Sequence, residues 1–334
     1  MKIFITGLAG FLGSNLGIRL ADVGHEIYGN DNLIGGYKDN IDKRFKFYES
    51  DCCDLEKMAN IIPEETDVLF HCAATAYEGL SVFSPHFITK NIYDATVSTV
   101  TASIKQKVKK FIFCSSMARY GNQVSPFKED MPPKPEDPYG LAKAASEDIV
   151  KNLCNTHNID WTILVPHNIV GPRQKYNDPY RNVMSIFLNK MIQNEQVYIY
   201  GDGSQLRCFS YIDDCLDCME KCISLKETSK QIINIGPDEE VVSIRDLAEL
   251  CANEVGHNKE PIFVPGRPQE VKFATCSSDK AKKLLDYKTN FTLKESINKT
   301  YEYIKKKGAR KFEYHIQLEI NNELTPETWK KKLI

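Results

Sequence analysis

Apolar positions along the first half of the chain alternate between two rhythms. Ile3-Phe4-Ile5 is a short apolar run that reads as a buried strand, and from Phe11 the spacing turns helical through Leu12, Leu16, Ile18 and Leu20. Strand-like runs recur at Glu26 to Asn30, Arg44 to Glu49, Asp67 to His71, Lys110 to Cys114 and Ile159 to Val165. Helical patterns separate them, with a long one from Pro85 to Lys105 and another opened by Asp137-Pro138-Tyr139. This alternation over residues 1–166 predicts an α/β fold, a Rossmann-type doubly wound parallel sheet with helices on both faces.

Beyond Pro166 the rhythm shortens. A helix is expected from Arg181 to Gln193, short strands at Val197 to Tyr200, Arg207 to Ile212 and Ile232 to Ile235, and helices capped by Asp213 or Asp214 and by Ser243. Residues 167–305 therefore read as a smaller mixed α/β substrate domain, with some segments returning to the first sheet. A helix from Leu293 to Lys306 ends in lysines that suit its C-terminus. In 306–334, Phe312, Tyr314, Ile316, Leu318 and Ile320 alternate, which predicts a strand-like extension. Thr325-Pro326-Glu327 resembles a helix start.

The predicted strand ends carry the candidate chemistry. Gly7, Gly10 and Gly13 lie between the first strand and the helix that opens at Phe11 and Leu12. Glycines let a backbone approach a dinucleotide pyrophosphate, and a helix N-terminus offers it free N–H groups; a plain glycine turn has the same pattern. Asp31, beside Asn32, lies where an acid can bond an adenosine ribose and repel a 2′-phosphate, so NAD is expected over NADP; a surface turn would also use it. Asp51 and Cys52 end the third strand near an adenine edge. Cys72-Ala73-Ala74 ends the fourth with small side chains, and Asn91 lies on the long helix that follows. Ser116 follows the fifth strand, and Pro166 ends the sixth.

Tyr139 and Lys143 stand four apart on one helix and so share a face. A lysine beside a phenol favours the phenolate, and a serine nearby could align an alcohol, which makes a proton-transfer set; an exposed Tyr and Lys would look alike. Arg207 and Arg267, the latter in Pro265-Gly266-Arg267-Pro268, could clamp a diphosphate or simply form surface ion pairs.

Composition narrows the field. A formal net charge of −2 argues against a nucleic-acid partner, and no apolar run approaches the ~20 residues of a membrane span. Eleven cysteines without a signal-like start suggest reduced thiols in a cytoplasm. Cys52-Cys53 has no second pair, so no metal site is expected. Cys215, Cys218 and Cys222 share a helix face and read as core packing.

Together these pieces resemble the extended short-chain dehydrogenase/reductases, specifically the nucleotide-sugar epimerase/dehydratase group (UDP-glucose 4-epimerase-like), over roughly residues 1–305. The likeness rests on Thr6 to Gly13, Asp31, Asp51, His71 to Ala74, Ser115-Ser116…Tyr120-Gly121, Pro138 to Lys143, Asn168 to Pro172 and Gly201-Asp202-Gly203…Arg207. It implies a homodimeric isomerase with tightly held NAD that epimerises a nucleotide-diphosphate sugar, most often at C4. Tyr139 would be the base, Lys143 would bond the nicotinamide ribose and depress the Tyr139 pKa, and Ser116 would align the hydroxyl. Asn168, Arg207 and Arg267 would hold the diphosphate, with a UDP-sugar favoured.

Dehydratases of the group carry Asp-Glu after the hydroxyl residue. Here Met117 and Ala118 stand there and cannot transfer protons, which disfavours dehydration by the usual route. Met117, Arg119 and the possible pocket acid Glu78 are the positions expected to touch an unusual sugar. The alternatives are a nucleotide-sugar 4-dehydrogenase/reductase, an atypical 4,6-dehydratase, or a non-catalytic NAD-binding redox sensor.

Overall fold

A computed structural model describes residues 1–334. Seven strands form one sheet, and every pairing in it is parallel. Six come from the first half: β1 Lys2–Thr6, β2 Glu26–Asp31, β3 Lys46–Glu49, β4 Val68–His71, β5 Lys110–Cys114 and β6 Asp160–Pro166. The seventh, Gln231–Ile235, returns from the second half to pair with β6. The spatial order runs from Gln231–Ile235 through β6, β5, β4, β1 and β2 to β3. The order reverses beside β1, and ligands of such sheets gather in the crevice at that switch point.

The apolar runs are continuous because alternate residues of each strand feed a separate core on each face of the sheet. Ile3, Ile5, Val68, Phe70, Ile112 and Leu164 enter one cluster. Phe4, Leu69, Phe111, Phe113, Ile163 and Val165 enter the other. Cys215, Cys218 and Cys222 are buried in the first of these, as expected of small core side chains.

The predicted long helix is Pro85–Thr89 and Ala95–Lys105 joined by one π-helical turn, Lys90–Asp94. The second half builds three small sheets. The expected strand Arg207 to Ile212 splits into Leu206–Arg207 and Ser210–Tyr211, which belong to different sheets. Tyr211, not Asp213 or Asp214, occupies the N-cap of the helix Ile212–Lys221. Asp214 instead accepts from the backbone and side-chain nitrogens of Asn290.

The strand expected in the tail does not form. From Gly308 the chain runs irregularly to a short helix, Glu327–Lys330. The backbone groups that a strand would pair are spent on scattered partners, such as Asn177 and Phe83 carbonyls, and Ile316 is buried in a cluster beside the cavity. No helix of the molecule is long and apolar enough to cross a membrane.

Candidate active site

The first helix, α1 Phe11–Asp22, begins at the carboxyl end of β1. Gly7 has φ +72°, and a Cβ on it would lie 3.0 Å from the Ala73 backbone. A Cβ on Gly13 would lie 2.2 Å from the Gly7 carbonyl, so only glycine lets α1 sit this close to β1. Gly10 is the N-cap and supplies no side-chain acceptor. The first-turn N–H groups of α1 are thus left for a ligand, and the local charge favours an anion.

That turn opens into a cavity of about 470 Å³. Every residue named above for the cofactor, the substrate or catalysis lines it, from Gly7 to Arg267, with the exception of Arg119. Asp31 is nearly buried; it accepts from Ala9 N at 3.1 Å and Leu33 N at 2.7 Å. Burial raises its pKa, and those backbone donors hold it back. The Asp51 carboxylate accepts from Cys53 N at 2.8 Å. His71 is fully buried and bonded to Thr6 Oγ1 at 2.8 Å and Thr96 Oγ1 at 3.1 Å. Burial lowers it to about 3, so it is neutral and ties β1 to β4 beneath the cavity.

Tyr139 and Lys143 project from the first two turns of the helix Pro138–Thr156, whose N-cap Asp137 accepts from Gly140 N. Both are buried. Lys143 Nζ donates to the Cys114 carbonyl at 2.7 Å and lies over the Phe113 ring. Burial lowers its pKa to about 8. The expectation that Lys143 draws the phenol down is not met. Burial dominates and pushes Tyr139 up, while the Ser116 hydroxyl and Arg181 pull it down. The physical reason is direction: the ammonium is spent on the end of β5, and the serine faces the phenol.

The other end of the cavity is cationic. Arg207 Nη2 donates to the Val271 carbonyl at 2.7 Å. Arg267 donates to Glu270 at 2.9 Å and stacks on Tyr200 at 4.5 Å. Asn168 donates to the Cys208 carbonyl at 2.9 Å. Glu78 lines the cavity and is exposed to it. The poorly solvating walls around it, with Asp137 nearby, push its pKa up to about 7, against Arg207 and Arg267.

Arg119 does not reach the cavity. It is 2% exposed and pairs with buried Glu147 at 2.9 Å, while Glu147 also accepts from Ser115. The bulky guanidinium in this turn serves the support beneath the site and not a ligand.

Sequence reasoning missed Arg181. It faces the cavity, pairs with fully buried Asp178, and stacks on Tyr77, whose hydroxyl donates to Asp178 at 2.7 Å. Its only signal was an arginine amid Pro179-Tyr180-Arg181-Asn182, just before a helix. Gln205, Glu270 and Ile334 also line the cavity, from segments far apart in the chain.

A glycine turn at a helix N-terminus, beside half-buried Ser116 and buried Tyr139 and Lys143, fits an enzyme of the doubly wound, dinucleotide-binding class. The chain belongs to the NAD dependent epimerase/dehydratase family, whose model matches residues 3–236. It is 31% identical to the UDP-glucose 4-epimerase of Mycolicibacterium smegmatis, covering 92% of this chain and 100% of that protein. The UDP-glucose 4-epimerase of Thermotoga maritima, solved with UDP-glucose, is similar with TM-score 0.85 and 32% identity, covering 92% and 99% of the two chains. The UDP-glucuronic acid 4-epimerase of Bacillus cereus, solved with UDP-glucuronic acid and NAD, gives TM-score 0.83 and 30% identity over 92% and 100%. NAD is the cofactor of this family, and the uncapped α1 terminus, the glycine turn and Asp31 fit it.

Proposed function

We propose that the protein is an NAD-dependent nucleotide-sugar epimerase acting at C4, with a UDP-sugar as substrate. One observation carries this reading. Ser116, Tyr139 and Lys143 share a single cavity with the glycine turn at one end and Arg207 and Arg267 at the other.

Gly7, Gly10, Gly13 and the α1 terminus would hold the cofactor diphosphate, and Asp31 its ribose. NAD, when bound, supplies reversible hydride acceptance at the sugar carbon. The chain's own residues handle the proton. Ser116 orients the C4 hydroxyl toward the Tyr139 oxygen, which takes the hydroxyl proton as C4 becomes a carbonyl. The same phenol returns the proton when C4 is reduced from its other face. Lys143, one helical turn from Tyr139 and bonded to the Cys114 carbonyl, can meet a ribose hydroxyl of the cofactor. Arg207 and Arg267 bind the substrate diphosphate through charge-assisted hydrogen bonds. Met117 and Ala118 offer no proton, so elimination at C6 lacks its acid and base.

Glu78 is the finer point. An acid held near neutrality in the sugar end can accept or donate a hydrogen bond to a sugar hydroxyl, and it sets this pocket apart from a purely apolar one. Incubation with UDP-, GDP-, CDP- and dTDP-sugars tests the reading. Epimer formation without added acceptor and without net NADH is expected. Accumulating NADH would turn the assignment to a dehydrogenase.

A further inference from the structure

Residues 309–334 cross from one lobe to the other and back. At the second lobe Arg310 N donates to Asn189 Oδ1 at 3.0 Å and Glu313 N to the Asn177 carbonyl at 2.9 Å. At the first lobe the Phe83 carbonyl accepts from Glu319 N and Ile320 N, and the Glu319 carboxylate accepts from His86 N and Phe87 N at 2.9 and 2.8 Å. The chain then returns. Thr328 bonds the Tyr200 hydroxyl, and Trp329 packs edge-on against Phe83 and Tyr180.

Two of these residues bear on the substrate half of the cavity. Ile334 lines it, and the Tyr314 hydroxyl pins the Ile334 backbone, donating to its carbonyl at 3.0 Å and accepting from its N–H at 3.1 Å. Trp329 and the Arg267 guanidinium flank the bare Cα of Gly79, where a Cβ would lie 3.8 Å from the indole and 3.2 Å from Nη1. The indole therefore packs beside the same Gly79 backbone that the Arg267 guanidinium meets, while its neighbour Thr328 bonds Tyr200, on which Arg267 rests. None of these contacts touches the glycine turn. The relatives described above are matched over 99–100% of their length by 92% of this chain, and the remaining share corresponds in size to this segment.

We propose that residues 309–334 form a specificity wall of the nucleotide-sugar cleft, with Ile334 closing it directly and Trp329 bracing the Arg267 loop. The inference rests on the reading of that cleft as a nucleotide-sugar site. It assigns substrate selection to a segment that takes no part in holding NAD.

The test is calorimetric binding of UDP, UDP-glucose and UDP-glucuronic acid to the NAD-loaded protein. The unaltered chain, Ile334→Trp, Trp329→Ala and a chain lacking residues 309–334 are compared, each with its NAD content and melting temperature. Ile334→Trp places a larger side chain in the cavity. It is expected to raise the Kd for both UDP-sugars at least about tenfold with NAD content unchanged. Trp329→Ala is expected to weaken UDP as well, because the Arg267 support is lost. Should the shortened chain lose its fold, Ile334→Trp decides alone, since Ile334 lines the cavity at the edge of the cluster beside it and an unchanged melting temperature shows that the fold is kept. Unchanged Kd values in Ile334→Trp with NAD retained overturn the wall. Failure of the unaltered chain to bind any of the three ligands overturns the nucleotide-sugar reading itself, and the wall with it.

Discussion

The two ends of the cavity are built in opposite ways. The cofactor end is assembled from consecutive strand ends: Gly7 after β1, Asp31 at the end of β2, Cys72 after β4 and Ser116 after β5. Each residue is placed by the sheet register, and neighbouring strands hold it on both sides. The substrate end draws on Glu78, Asn168, Arg181, Arg207, Arg267 and Ile334, which come from loops and short elements spread over most of the chain. The first end is therefore rigid and general, and the second is free to vary. A fold can keep its redox agent and change its sugar by altering only the second.

Mutations should separate the ends. Tyr139→Phe removes the proposed proton acceptor, and turnover is expected to fall roughly 10²–10⁴-fold while heat-released NAD stays at its normal amount. Loss of NAD in that variant would mean that the two ends are not separable. Gly13→Ala forces a Cβ to 2.2 Å from the Gly7 carbonyl. It is expected to cost about 1–3 kcal/mol of stability and to strip most of the NAD, as melting and cofactor release would show.

Arg267→Ala is expected to leave NAD in place and raise the KM for a UDP-sugar about 10–100-fold, in line with one or two lost charge-assisted bonds. An unchanged KM would remove Arg267 from the diphosphate site.

The smallest effect belongs to Glu78. Its folded pKa of about 7 lies above the ordinary carboxylate value, so the proton it carries stabilises the fold at low pH. That contribution is full below the ordinary carboxylate range and is lost as pH rises through about 7. Above that pH a charged Glu78 would also compete with the proposed substrate diphosphate for Arg207 and Arg267. The KM should climb a few-fold from pH 6 to pH 8, and Glu78→Gln should flatten the climb. A pH profile identical in both forms would detach Glu78 from binding.

The sheet was legible because its signal is local. The runs Ile3-Phe4-Ile5 and Lys110 to Cys114 are apolar on both faces, which only a covered parallel strand requires. The glycine turn was legible because steric rules admit little else at Gly7 and Gly13. Less was visible where a side chain's partner lies far along the chain. Arg119 looked like a substrate contact until Glu147 was placed beneath it, and the tail's alternation looked like a strand without a sheet edge to join. The direction of Lys143 was equally hidden, since the Cys114 carbonyl that captures it belongs to another element.

By itself, then, the sequence determined the α/β class, the strand ends and the residues that line the glycine-turn end of the cavity, because backbone sterics and local apolar patterning act over a few positions. Only the tertiary structure decided which arginines face the cavity, that Arg181 is one of them, and that Trp329 and Ile334 come back to its edge. Those outcomes depend on long-range packing and on which buried charge finds a partner, and neither is encoded within any one stretch of chain.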